Sequence, residues 1–266
     1  MTNDKNVPSA DEKELQTIMT THQQHPARGL AERLWKYRRF LLHLPINLYF
    51  NFRYLPFRQA VKLPIIIGKM HLVSCKGKVV IDAPRITPGM IHLGFREVSL
   101  YPDNGFTWDN KGATVIFRGH CIIGNDSYFS CGGGSTVDIG DDFVATAGMK
   151  LVSYRGIRFG QSARLGWDVV VMDTNFHPLY DMEKKQFKRA SGPIDIGDFN
   201  WFGQGCHIMH STATPERCIF GMGTIVTRGC EKESYCVMGG SPVRVLTRNV
   251  MRIIGQDMET YEDTTK

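Results

Sequence analysis

The sequence predicts a mainly β protein wound as a coil of short parallel strands, and three observations carry that expectation. Glycine is frequent, 27 of 266 residues, against a usual share of about 7%. An aliphatic residue or Phe precedes Gly at Ile123-Gly124, Ile139-Gly140, Phe159-Gly160, Leu165-Gly166, Ile196-Gly197, Phe202-Gly203 and Phe220-Gly221, with steps of six from 159 to 165 and from 196 to 202, and of eighteen from 202 to 220. From Ile196 the chain divides without a gap into IGDFNW, FGQGCH, IMHSTA, TPERCI, FGMGTI and VTRGCE, apolar at position one in five of six units and Asn, Cys or Thr at position five throughout.

A six-residue unit cannot bury its apolar face alone, so three units close into a triangular coil of eighteen residues that stacks on the next. Large side chains at position one fill the prism, small ones at position five fit its corners, and Gly at position two is expected to supply the dihedrals of a tight turn. Upstream, the step from 123 to 139 is sixteen and that from 139 to 159 is twenty; together they make two coils, a deletion followed by a bulge. Carried on from Phe159 through FGQSAR, LGWDVV and VMDTNF, the same phase puts His177 at a corner where a core aliphatic is expected.

Ahead of the repeat, residues 1–64 divide into a polar tail and a basic, aromatic segment. Between Ala27 and Leu63 lie eight basic residues against the single acid Glu32, so this segment holds +7 of a chain whose formal net charge is +6. Helical spacing is expected over Ala31–Leu44, with Pro45, Pro56 and Pro64 cutting the rest into short extended or turn pieces. Every solenoid needs a cap over its first coil, and cations among Trp and Phe also suit peripheral membrane contact through residues 27–63; no nucleic-acid module accompanies them. The β-helix is expected over 65–246, with an excursion at 178–193 containing Lys184, Lys185, Lys188 and Arg189, and a C-terminal helix or tail over 247–266.

Several classes drop out. The hydrophobic fraction of 42% is enough for a sizeable core. The longest apolar stretch, Leu41–Phe50, is broken by His43 and Pro45 and falls short of the roughly 18–20 residues a membrane span needs. The polar opening MTNDKNVPSADEKE has no apolar signal core, so a cytoplasmic protein is expected. Seven cysteines with no CxxC pair argue against a disulfide framework or structural zinc. Cys206, Cys218 and Cys230, twelve apart, belong to different faces, and no disulfide is expected among them. No GxGxxG, Walker A or HExxH pattern is present.

The repeat, together with His177-Pro178-Leu179, Ile194-Asp195-Ile196-Gly197-Asp198, Trp201-Phe202-Gly203 and the closing Gly239-Gly240-Ser241-Pro242-Val243-Arg244-Val245, resembles the hexapeptide acyltransferases of left-handed parallel β-helix fold. The likeness is to the maltose, galactoside and xenobiotic O-acetyltransferases and their capsular-polysaccharide relatives. It covers about residues 65–246 and supplies the handedness, an exception to the right-handed rule for parallel crossovers. It implies a homotrimer with clefts between prisms and acetyl-CoA as co-substrate, without a metal. It also implies that His177 is the general base for a saccharide hydroxyl, a role worth roughly 10²–10⁴ in rate. Asp173 and Asn175, just ahead of His177 in MDTNFH, are candidates to bind the acceptor or to orient the second ring nitrogen of that histidine, and Trp201 matches the family's Trp that lines the cleft on the acceptor side. Gly203, Gln204, Met222, Thr227, Arg228 and Arg244 match the CoA side, an amide near Gln204 facing the thioester oxygen. One departure is Thr146, which stands where the sugar acetyltransferases have Asn. The competing readings are a γ-carbonic-anhydrase-like zinc enzyme built on His177, His207 and His210, and a non-catalytic β-helix scaffold. Against the first, the three-residue step from His207 to His210 turns alternate side chains of a strand to opposite faces.

Overall fold

The computed structural model describes residues 43–227 and 230–255. Through Met251 they belong to one compact unit. Successive strands rotate among three parallel sheets. The first face stacks Ile65–Ile67, Ile91–Phe95, Cys121–Gly124, Phe143–Ala145, Arg164–Leu165, Trp201–Phe202, Ile219–Phe220 and Cys236–Gly239. The second runs from Met70–Cys75 to Ile225–Val226, and the third from Lys78–Ile81 to Ile194–Ile196. This is the parallel β-helix expected.

The eighteen-residue coil holds only late in the chain. Trp201 pairs with Ile219 and Ile219 with Val237, steps of 18, but Cys121 pairs with Phe143, a step of 22, and Val144 with Arg164, a step of 20. Ile123 and Ile139 lie on different faces of one coil, so the sixteen and twenty that sum to two coils do so by coincidence. The partner of Phe159 is Ile196, 37 residues on. The third-face strand is therefore delayed by the excursion, and His177 lies on the excursion rather than at a prism position.

The expected burial pattern is met. Ile196, Phe202, Ile208, Phe220 and Val226 at position one, and Asn200, Cys206, Thr212, Cys218 and Thr224 at position five, are all buried. Phe202 and Phe220 stack with ring centroids 4.5 Å apart and planes 7° from parallel. The seven cysteines are free thiols, five of them buried. Burial pushes Cys131 up to about 12 and Cys230 to about 11, which keeps both protonated.

The glycines of the repeat act differently from expectation. Gly124, Gly140, Gly160 and Gly197 have ordinary φ, and a Cβ on any of them would sit within 2.4 Å of the next coil's Thr146, Gly160, Asp198 or Pro215. They are required by the close approach of stacked backbones. The left-handed turn comes two residues later, at Asp126, Asp142, Ser162 and Phe199, with φ between 53° and 58°, three of the four being small polar residues that tolerate that region.

Pro45 starts a helix instead of interrupting one. Helix α1, Leu44–Tyr54, takes Pro45 in its first turn, where the missing N–H would have had no partner anyway. Pro56, whose restriction on Leu55 holds that residue extended, ends α1, and α2 follows at Phe57–Ala60. Residues 31–42 of the helix expected over Ala31–Leu44 lie outside the described residues.

The inward face of α1 caps the prism through two side-chain amides one helical turn apart. Asn47 accepts from the Ile67 N–H at 2.6 Å and donates to its carbonyl at 3.3 Å; Asn51 accepts from Ile65 N–H at 3.2 Å and donates to its carbonyl at 2.7 Å. The amides stand in for the strand that an edge otherwise lacks. Trp108 Nε1 donates to the Tyr54 hydroxyl at 2.9 Å, and Phe50 meets Trp108 edge-on at 5.1 Å. Asn51→Leu should cost about 2–4 kcal/mol in denaturant unfolding, since it orphans a buried N–H and C=O at roughly 1–3 kcal/mol each. A loss below about 0.5 kcal/mol would show that water replaces the amide.

At the other end, the C-terminal helix expected from residue 247 does not begin there. Arg244–Arg248 runs antiparallel to Cys236–Gly239, because an antiparallel return pairs the last open strand of the first face. Residues 249–255 are not helical, and 256–266 lie outside the described residues. Among the described residues no helix is long and apolar enough to cross a membrane.

Candidate active site

The site grows from one turn between the second and third faces. After Lys150–Ser153 the chain turns through Tyr154, Arg155 and Gly156, whose three N–H groups point at the coil above. The Asp173 carboxylate receives all three at 2.8 Å and takes the Ser153 hydroxyl at 3.0 Å. Asp173 is fully buried. Its expected place at the acceptor is thus corrected: both oxygens are enclosed and occupied by backbone donors, and it anchors the turn instead.

The excursion springs from this anchor as an antiparallel hairpin. Asn175 N–H donates to Ala190 O at 2.7 Å, Gly192 N–H to Asp173 O at 3.0 Å, and Thr174 bridges Ser191. Further out, Tyr180–Asp181 pairs with Gln186–Phe187. The Lys184 and Glu183 N–H groups close on Asp181, and Lys188 approaches it at 3.5 Å. The Lys184 N–H, then Lys188, hold the Asp181 carboxyl below its ordinary range. Lys184, Lys185, Lys188 and Arg189 are all exposed.

His177 sits at the root of the hairpin. Phe176 takes φ 59°, packs on Tyr154 at 5.3 Å and is held by its N–H to the Thr174 hydroxyl at 3.0 Å. The His177 N–H then closes a tight turn onto Asn175 O at 2.7 Å. The exposed imidazole has no side-chain hydrogen bond among the described residues, so it meets solvent from a fixed backbone. Beside it, Asn175 Nδ2 donates to His210 Nε2 at 3.3 Å, which leaves the proton on Nδ1 for the Ser211 hydroxyl at 3.2 Å. This Asn175–His210–Ser211 chain ties the hairpin root to the next coil. Spacing did not reveal it, because the pairing runs between residues 35 apart.

The other expected site residues occupy different edges of the prism. Trp201 opens a first-face strand. Gly203, Gln204 and Met222 lie on the turn from the first face to the second, Gln204 and Met222 both exposed; a Cβ on Gly203 would come 2.9 Å from Met222 N. Thr227 is exposed on the turn after the second face, in register with Met209 one coil below. Arg244 lies exposed opposite Gly239 in the closing hairpin. Arg228 lies outside the described residues. Thr146 is at the turn leaving the first face, its hydroxyl buried without a partner. Among the described residues no three His, Cys, Asp or Glu side chains group to hold a metal ion. His210, with both ring nitrogens engaged, faces Asn175 and Ser211 instead.

Three rotating parallel sheets and six-residue steps define a parallel β-helix of hexapeptide-repeat type, with a histidine at the root of the hairpin that leaves it. In sequence the chain is similar to the polysialic acid O-acetyltransferase of Escherichia coli O1:K1, 27% identical over 119 residues that make up 44% of this chain and 38% of that protein. It is also 25% identical, over 59% of its length and 69% of the other's, to an uncharacterized 24.8 kDa protein in the cps region of Klebsiella pneumoniae. The crystal structure of the polySia specific acetyltransferase NeuO shares the fold, with a TM-score of 0.50 and 18% identity over 73% of this chain and 93% of that one. The chain thus spans less than half the length of the E. coli relative. No family model matches it.

Proposed function

We propose that the protein is an O-acetyltransferase that moves an acetyl group from acetyl-CoA to a hydroxyl of an acidic polysaccharide, directly within a ternary complex. The observation that carries the proposal is the exposed His177 imidazole on a backbone fixed by buried Asp173 and by the Asn175–His210 bond. The acceptor hydroxyl gives its proton to the imidazole as its oxygen attacks the thioester carbonyl. The C–O bond forms, the C–S bond breaks, and the proton passes to the departing CoA thiolate. An N–H donor near Gln204 would stabilise the oxyanion.

A homotrimer is part of the proposal. His177, Asn175 and Thr227 lie on one edge of the prism, and Gly203, Gln204 and Met222 on another. A cleft that uses both sets needs the second edge from a neighbouring copy, and a head-to-tail contact of this kind closes as a ring. The exposed cations of the hairpin favour an acidic acceptor, in keeping with the name of the E. coli relative. Incubating the protein with acetyl-CoA and a panel of glycans led by polysialic acid should release CoA thiol with an acidic polysaccharide and not with neutral ones. Release with no acceptor in the panel would overturn the transferase reading in favour of a scaffold.

A further inference from the structure

Helix α1 is apolar on two sides. Its inward stripe of Asn47, Phe50, Asn51 and Tyr54 is used by the cap, while Leu48, Tyr49 and Phe52 form an outward stripe at the same helical spacing, continued by Phe57 and Val61. Tyr49 is 50% exposed, Phe52 46% and Phe57 72%, with the Phe52 and Phe57 rings 6.0 Å apart. The Asn47 and Asn51 bonds to the edge strand, and the Trp108–Tyr54 bond, prevent the helix from rolling to bury these groups. Such a rigid aromatic patch on a protein surface marks an interaction site.

Its charge selects the partner. From His43 to Ile81 the chain carries Arg53, Arg58, Lys62, Lys69, Lys76 and Lys78 and no Asp or Glu. Arg53, Arg58 and Lys62 are exposed and form no ion pair with an acid among the described residues. Two copies meeting through this face about a twofold axis would set cation against cation. A bilayer with anionic headgroups satisfies both features: the rings enter the interface and the cations meet the headgroups.

We propose that α1 and α2 form a docking surface for an anionic lipid bilayer, with Tyr49, Phe52 and Phe57 as the inserted side chains and Arg53, Arg58 and Lys62 as the headgroup contacts. The proposal stands apart from the acyl-transfer reading, because binding is measured with no acetyl donor present. The full chain should sediment with phosphatidylcholine vesicles containing phosphatidylglycerol, not with phosphatidylcholine alone, and should be released as salt rises.

Phe52→Ser with Phe57→Ser should abolish sedimentation at low salt while leaving thermal unfolding and molecular mass unchanged. Arg58→Glu with Lys62→Glu should weaken it at least tenfold. Failure of the wild-type chain to bind anionic vesicles would overturn the proposal. So would binding that survives the double Phe substitution, or a fall in oligomeric mass in that variant, which would show that a second copy covers the face.

Discussion

His177→Ala should lower CoA release in the presence of acceptor by about 10²- to 10⁴-fold, the usual contribution of a positioned general base. The effect should appear in kcat rather than in the KM for acetyl-CoA, because the imidazole acts on the acceptor's proton. Stability should stay within about 0.5 kcal/mol of wild type, as for other exposed side chains without specific contacts, since the imidazole is exposed and has no side-chain hydrogen bond among the described residues. The two readouts together separate catalysis from folding. A variant that unfolds normally and keeps full activity would remove His177 from the chemistry and point to a neighbour such as His210. A variant that loses activity and stability together would make the hairpin root the damaged element.

The prism was legible in the sequence because burial of Phe202, Ile208 and Phe220 depends only on the local six-residue step, which is unbroken after Ile196. Upstream the same reasoning misplaced the coils. Turns from the second face to the third, such as the one between Cys131 and Thr136, carry extra residues that do not disturb the strands but add to their spacing, so Ile123 and Phe159 look two coils apart when they lie on different faces. The phase count that singles out His177 is not reproduced, because the partner of Phe159 is Ile196. The reading of His177 therefore rests on its flanking His-Pro-Leu motif and not on the count.

Asp173 was misjudged for a different reason. A carboxylate four residues before a candidate base suggests acceptor binding or orientation of that base, while its actual donors, the N–H groups of residues 154–156, belong to the previous coil. Asn47 and Asn51 left a legible trace that composition alone passes over. Two amides at i and i+4 on an otherwise apolar helix next to a strand have few partners except that strand's backbone.

Asp173→Ala should be the most destabilising single substitution at the site, costing about 3–5 kcal/mol. It deletes the acceptor for three backbone N–H groups and the Ser153 hydroxyl, all on a turn that would be left without partners inside the prism edge. An orphaned buried donor costs roughly 1–3 kcal/mol, and partial entry of water limits the total. Asp173→Asn should cost less. The oxygen that receives Ser153, Arg155 and Gly156 can be kept as the amide oxygen, leaving only the second approach of the Tyr154 N–H, at 2.8 Å, opposed by the NH₂ group. Because the hairpin bearing His177 leaves the prism at this residue, both variants should raise protease cleavage within residues 174–191, Ala more than Asn, and lower kcat in the same order. Denaturant unfolding of the two variants beside wild type checks the ranking. Equal stability of Ala and Asn, with hairpin protection unchanged, would mean that the buried carboxylate does not hold the turn and that His177 is positioned by the Asn175–His210 bond alone.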